Sequence, residues 1–268
     1  MIMKLDIILR TCDNIYTVHK SSNESSFRIP GSEFSKLDIM LVCINSLINS
    51  INLYKGDIRL IVVDDHSSNI ESIKKVVNEC IYPTEFIEVN GSGNGDSLKT
   101  CYEWALKNGR DYLFFVEDDY LHDSCCISEM IVDLEFFKTK LNGREVTLFP
   151  YDNIDNYIQS YKNNIPCFMT LGSKRHWRTV TNSTFTFMCS KEIIERYWYL
   201  FDRATQYGKD LSVSEDNTIN LIWSAPYKGS GGAYLLSPMP SLSLHFHFKE
   251  HLSPYVNWEK WWEQSIIK

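Results

Sequence analysis

The first 120 residues repeat one pattern four times: a short, nearly unbroken apolar run, then a segment with helical spacing. The runs fall at 4–9, 57–63, 85–89 and 112–116. Between the first two, Leu37, Met40, Leu41, Ile44, Leu47, Ile48 and Ile51 recur every three or four residues, the spacing of one helix face. Further helical stretches cover 70–80, 97–108 and 127–141. Continuous apolar strands alternating with amphipathic helices predict an α/β chain with a mostly parallel central sheet and helices on both faces.

The runs end in polar clusters. These are Arg10-Thr11-Cys12-Asp13, Asp64-Asp65-His66-Ser67-Ser68, Asn90-Gly91-Ser92-Gly93-Asn94-Gly95 and Glu117-Asp118-Asp119. Ligands of such sheets lie beyond the carboxyl ends of the strands, so these clusters are expected along one edge. Three consecutive carboxylates delivered by a buried strand are unfavourable unless something neutralises them. A divalent cation holding a phosphate does so through carboxylate oxygens. The plain alternative is that Asp118 or Asp119 caps the next helix. Asp64 and Asp65 can accept from a base N–H or from ribose hydroxyls, or Asp65 and Ser67 can simply cap a helix. The glycine turn lacks the spacing of a dinucleotide fingerprint and the Gly-Lys-Ser/Thr of a P-loop, so a tight turn is its plain reading.

After Asp119 the pattern changes. Strands are expected at 145–149, 168–171 and 184–189, helices at 191–201, 215–223 and 258–267, and a flexible turn at 229–232. Residues 242–248 alternate as a strand, placing His245 and His247 on the same face. Such a pair either ligates a metal or is satisfied by neighbours; His251 is a further candidate. Glu215-Asp216 opens a helix, where negative charge is favoured by the dipole; the functional alternative is a general base. Lys174, Arg175 and Arg178 form a basic patch, suited either to a phosphate or acidic substrate or to plain solvation. The polar segment 16–35 is expected as a mobile loop.

At 268 residues the chain reads as a single domain with ample length for a core. Its net charge of −7 argues against a general nucleic-acid binder. No leader pattern stands at residues 1–10, and no apolar stretch approaches the ~20 residues that span a bilayer. Eight cysteines without a C-x-x-C pair read as reduced thiols, pointing to a cytoplasmic protein.

Taken together, Arg10-Thr11-x-Asp13, Ile61-Val62-Val63-Asp64-Asp65-His66-Ser67, Asn94-Gly95, Phe115-Val116-Glu117-Asp118-Asp119 and Ser214-Glu215-Asp216 resemble a GT-A glycosyltransferase, family 2-like. The order along the chain matches, from about residue 4 to 225. The resemblance implies a GT-A (Rossmann-like) fold with a divergent acceptor-side C-terminal region. Residues 1–120 would form the nucleotide-sugar half, and 121–268 the acceptor half with a C-terminal helix. It implies a hexosyl- or deoxyhexosyltransferase that moves sugar from a nucleoside-diphosphate donor to a hydroxyl of a glycan or glycoconjugate, with inversion.

By the same resemblance Arg10, Thr11, Asp13, Asp64, Asp65, Asn94 and Asp118 contact the nucleotide. Glu117-Asp118-Asp119 stands as the D-x-D element: Asp118 faces the ribose, and Asp119 with Glu117 binds Mn²⁺ or Mg²⁺. A late ligand comes from His245 or His247. Asp216 supplies the base, with Glu215 as its alternative. Tyr151 to Trp177 is expected on the acceptor side, because aromatic faces stack on sugars. The first D-x-D position is Glu here, and the Q-x-x-R-W signature and membrane spans of processive synthases are absent. Competing readings are a nucleotidyltransferase, which wants a Gly-rich, Arg-containing loop after the first strand, a non-catalytic nucleotide or sugar binder, and a two-metal phosphohydrolase.

Overall fold

The computed structural model describes residues 3–14, 34–141, 143–153, 156–157, 165–246 and 252–267. Its first half is β1 (Lys4–Thr11), α1 (Lys36–Leu53), β2 (Asp57–Asp64), α2 (Ile70–Val77), β3 (Thr84–Glu88), α3 (Asn94–Asn108) and β4 (Tyr112–Glu117). The four strands lie in the order β3-β2-β1-β4, all parallel. Leu5, Ile7, Ile8 and Leu9 are all buried, as a strand covered on both faces requires. Asp6 is the exception in that run. It is fully buried, and its carboxylate accepts from Arg59 Nε at 2.8 Å, Arg110 Nε at 2.7 Å and the Arg110 backbone N–H at 2.8 Å. Two guanidinium forks neutralise the one buried charge.

α1 starts at a capping box, in which Ser35 and Asp38 exchange side-chain-to-backbone bonds. The predicted stripe is buried from Met40 to Ile51, with Leu37 and Leu41 at its margin. Among the described residues α1 is the helix long and apolar enough to cross a membrane, and 56% of it is buried inside this fold.

The second half runs β5 (Tyr120–His122), α4 (Cys126–Lys140), β6 (Val146–Leu148), β7 (Met169–Leu171), β8 (His176–Val180), β9 (Phe187–Ser190), α5 (Lys191–Arg196), α6 (Trp198–Ala204), a 3-10 turn (Glu215–Asn217), α7 (Asn220–Ser224), a second 3-10 turn (Ala225–Lys228), β10 (Tyr234–Met239), β11 (Ser243–His245) and α8 (Trp258–Ser265). α1 packs with α2, α4 and α8, while α3 packs with α5 and α6, so helices cover the sheet in two groups. The sheet continues past β4 as β9-β6-β10-β8-β7. β9 is antiparallel to both β4 and β6, and β10 is parallel to β6. The expected α/β architecture stands, with parallel pairing continuous through β4 and mixed beyond it.

Two local expectations are corrected, and a third point is a strand that the sequence did not reveal. The basic patch is strand β8 and the turn before it, not a loop. Arg175 is ion-paired with buried Glu129 and donates to the carbonyls of Pro240 at 2.7 Å and Ser241 at 3.1 Å. Arg178 is buried on Asp152 at 2.9 Å, its guanidinium 3.7 Å from the centre of the Tyr157 ring. Both charges are consumed inside the fold. Second, Tyr151 and Trp177 lie in the core, with Trp177 Nε1 donating to Asp133 at 2.7 Å, so neither ring is presented to a sugar. Third, β10 was hidden in the sequence by Pro238, which argues against a central strand. Beyond Leu236 its strand pairing among the described residues is with β8 alone, so a missing N–H is tolerated there. The expected loop 16–35 lies largely outside the described residues.

Candidate active site

β1, β2 and β3 are added in one direction and β4 in the other, so the strand order reverses between β1 and β4. At such a reversal the helices diverge and leave a crevice beyond the strand ends. Arg10 to Asp13 and Glu117 to Asp119 stand on its two sides.

The carboxylates around β1 and β2 do different jobs. Asp64 is buried, accepting from Thr11 Oγ1 at 2.8 Å and from the Ser67 backbone N–H at 2.8 Å. Asp13 accepts the backbone N–H groups of Ser68 and Asn69, both at 2.7 Å, and so caps the entry to α2. These groups shape the edge. Asp65 is different. Its Oδ2 accepts the Gly93 N–H at 2.7 Å, while Oδ1 is buried with no hydrogen-bond partner among the described residues. An orphaned buried carboxylate oxygen suits a ligand N–H or O–H. Gly93 reaches Asp65 at φ +87°, a conformation that favours glycine. Gly95 is fixed by contact instead: a Cβ there would stand 2.4 Å from the Thr205 carbonyl.

Across the crevice, Asp118 accepts the Cys12 N–H at 2.7 Å. The β1–β4 register sets Arg10 beside Glu117, and the two are ion-paired. Arg10 also donates to Asn94 Oδ1 at 3.3 Å and Ser97 Oγ at 3.1 Å, so it ties β1, α3 and β4 together.

β5 follows directly after Asp119 and pairs with β11, with Tyr120 opposite His245. The Phe246 N–H donates to the Asp119 carbonyl at 2.8 Å. This small sheet brings His245 Nε2 to 3.1 Å from Asp119 Oδ2, across 126 residues of chain. The imidazole stacks on Tyr120, with ring centres 4.7 Å apart. Ligand atoms of Glu117, Asp119 and His245 all lie within 4.8 Å of one another. His247 lies outside the described residues.

Charge is crowded here. Burial, then the neighbouring Asp119, pushes the Asp118 carboxyl up to about 7. Glu117 is also raised, by burial first, although Arg10 opposes the shift. Glu215 is pushed up to about 8 by burial and by the fields of Glu117 and Asp216. For His245, burial opposes protonation, but Asp119, Glu117 and Glu215 outweigh it and its pKa is raised. Carboxylates that hold one another's protons on are the donor set that a divalent cation relieves. Two carboxylates and an imidazole are oxygen and nitrogen donors of the kind that could hold a divalent cation.

Glu215 and Asp216 are not equivalent. They sit in a 3-10 turn rather than at the head of the expected helix. Glu215 is half-buried and in the field of Glu117, His245 and Arg10. Asp216 is exposed and accepts from Asn220 Nδ2 at 3.1 Å. Two residues of the site have no counterpart in the sequence reading. Lys36 Nζ donates to the Asn14 carbonyl at 3.0 Å, and its charge bears on Asp118 and Cys12. Tyr207 is half-buried in the field of Glu215 and Glu117. The capping signal Ser35-x-x-Asp38 locates Lys36 in a first helical turn; nothing in the sequence marks Tyr207.

No protein-family model matches the chain, and no curated protein matches it. Solved structures do. Staphylococcus aureus TarS 1–349 is similar over 88% of this chain and 58% of its own, at 12% identity and a TM-score of 0.47. The same fragment in complex with UDP is similar over 76% of this chain and 55% of its own, at 15% identity and a TM-score of 0.43. Glucosyl-3-phosphoglycerate synthase from Mycobacterium tuberculosis, solved with Mn²⁺, UDP and glucosyl-3-phosphoglycerate, is similar over 98% of this chain and 77% of its own, at 12% identity and a TM-score of 0.44. The chain thus spans less than two thirds of the TarS fragment.

Proposed function

We propose that the chain is a metal-dependent glycosyltransferase that moves a sugar, with inversion, from a nucleoside-diphosphate donor to a hydroxyl of a glycan or glycoconjugate. One observation carries this reading. Glu117, Asp119 and His245, drawn from distant parts of the chain, converge within 4.8 Å at the reversal of strand order. The motifs that resemble the GT-A family gather around that point.

In this reading the base of the donor meets Asp65 and the Gly93 backbone, where a buried carboxylate oxygen awaits a donor group. Asp118, anchored on the Cys12 N–H, faces the ribose. Thr11, Asp13, Asp64, Asn94 and Arg10 hold that frame. Asp119 and His245 are the residues that would hold Mn²⁺ or Mg²⁺, with Glu117 beside them. When bound, the cation supplies charge neutralisation for the departing diphosphate. Glu215 takes the acceptor proton, because it is half-buried in the field of Glu117 and His245 while Asp216 is exposed and engaged by Asn220. Residues 121–268 supply the acceptor side as well as Glu215 and His245. Eight unpaired thiols support a reducing, cytoplasmic setting.

A thermal-shift panel of nucleoside diphosphates with and without Mn²⁺ tests the reading. Stabilisation should require both together, since a ligand that binds only the folded state raises its melting point. Nucleotide binding that ignores the cation would return the chain to a non-catalytic nucleotide binder.

A further inference from the structure

Glu117 has two partners in reach. It belongs to the three-residue ligand set, and it is ion-paired with Arg10. Arg10 is no mobile surface charge: its side chain is 13% exposed. Its other terminal nitrogen is fixed on Asn94 and Ser97, in the first turn of α3. The guanidinium is therefore braced between α3 and β4. Because Arg10 and Glu117 are direct cross-strand neighbours, the glutamate meets it sideways along the sheet edge. Asp119 stands two residues beyond, past the end of the strand, and bonds to His245. An Arg–carboxylate pair is charge-assisted and directional, so a cation approaching Glu117 must displace a fixed positive charge or share the carboxylate with it.

Resting on the metal-dependent reading above, we infer that Arg10 is a positioning residue that withholds Glu117 from the metal. Asp119 and His245 are then the ligands from the protein, and the Arg10–Glu117 pair sets how weakly the free enzyme holds a cation. The Glu at the first position of the acidic motif and the Arg at the end of β1 form one device. Glu117 and Arg10 cancel, so an arriving cation meets less negative charge than three carboxylates suggest.

Mn²⁺ binding to the full chain, followed by electron paramagnetic resonance without nucleotide, tests this without reference to turnover. Arg10→Gln should bind Mn²⁺ about tenfold more tightly than the unaltered chain, because a third ligand, the Glu117 carboxylate, is released. Glu117→Gln should change the affinity by less than about threefold, and Asp119→Asn should weaken it by at least about thirtyfold. Combining Arg10→Gln with Glu117→Gln should abolish the gain and return the affinity to within about threefold of the unaltered chain, and Arg10→Lys should fall between Arg10→Gln and the unaltered chain. A folded Arg10→Gln that binds Mn²⁺ no better than the unaltered chain overturns the inference and leaves the metal site standing. Should Arg10→Gln fail to fold, the other pair decides: a loss with Glu117→Gln as large as with Asp119→Asn overturns it. Absence of Mn²⁺ binding by the unaltered chain, with or without UDP, would remove the metal reading and this inference together.

Discussion

Glu215 is the side chain whose setting most narrows the chemistry. Its carboxyl is held up to about 8 by burial and by Glu117 and Asp216, so more of it is protonated at neutral pH than an ordinary glutamate. A base must be deprotonated, so transfer should rise with pH, with an ascending limb above the usual carboxylate range. A cation beside Glu117 offsets part of the field, which places that limb at or below about pH 8. Glu215→Gln should lower transfer by about 10²–10⁴-fold with nucleotide binding retained. Asp216→Asn should stay within a few-fold, because that carboxylate is exposed and engaged by Asn220. Steady-state rates of both variants across pH decide between them; collapse with Asp216→Asn alone would exchange their roles. At this scale the sequence named the acidic pair and, by family resemblance, put Asp216 first; the proposed role of Glu215 reverses that order. Burial and neighbouring charge rank the two, and both depend on where a 3-10 turn falls against β4.

The small β5–β11 sheet is the element on which the site depends. Its strands are three residues each: β5 is too short to stand out as a periodic run, whereas β11 falls within the alternating segment 242–248. What holds them is a polar contact in register: His122 lies opposite Ser243, with Nδ1 and the Ser243 hydroxyl 2.6 Å apart. His122 is buried, and burial drives its pKa from 6.5 down to about 3. The folded value lies below the unfolded one. The stability that neutral His122 permits is therefore complete above about pH 6.5 and is lost as pH falls toward 3. Between pH 7.5 and 5 this single group should remove about 2 kcal/mol. Denaturant titrations at both pH values should show that loss in the unaltered chain and a smaller one in His122→Asn. An equal loss in both would assign the acid sensitivity elsewhere. Arg175 braces the same region through the carbonyls of Pro240 and Ser241, just ahead of β11. From sequence it read as part of an exposed basic patch, because nothing local reveals that Glu129 lies buried opposite it.

For the whole molecule, the apolar origin of its packing sets how it responds to metal removal. The buried apolar cluster runs from Met3 to Trp262 and reaches the site at Tyr120, which stacks on His245, but its packing is between apolar side chains and the cluster contains no metal ligand of the proposed set. A chelator should therefore leave the melting temperature of the nucleotide-free chain within about 1 °C, while abolishing the shift produced by UDP with Mn²⁺. A chelator-induced collapse would make the cation structural, as in small metal-stapled domains. Scanning calorimetry of the same sample in the two states makes the comparison.

Sequence alone determined the parallel half of the sheet. Strands buried on both faces must be continuously apolar, and helices that cover them must be amphipathic, so both leave periodic marks along the chain. It also determined that Asp13, Asp64, Asp65 and Glu117 to Asp119 would share an edge, since parallel strands point their carboxyl ends one way. Tertiary structure decided the rest. Antiparallel β9 joins the halves, Arg175 and Arg178 turn inward onto buried carboxylates, and Arg10 is braced against Glu117. His245 reaches Asp119 only through the β5–β11 pairing. Each of these contacts joins residues far apart in the chain, and such a pairing writes no period into either partner.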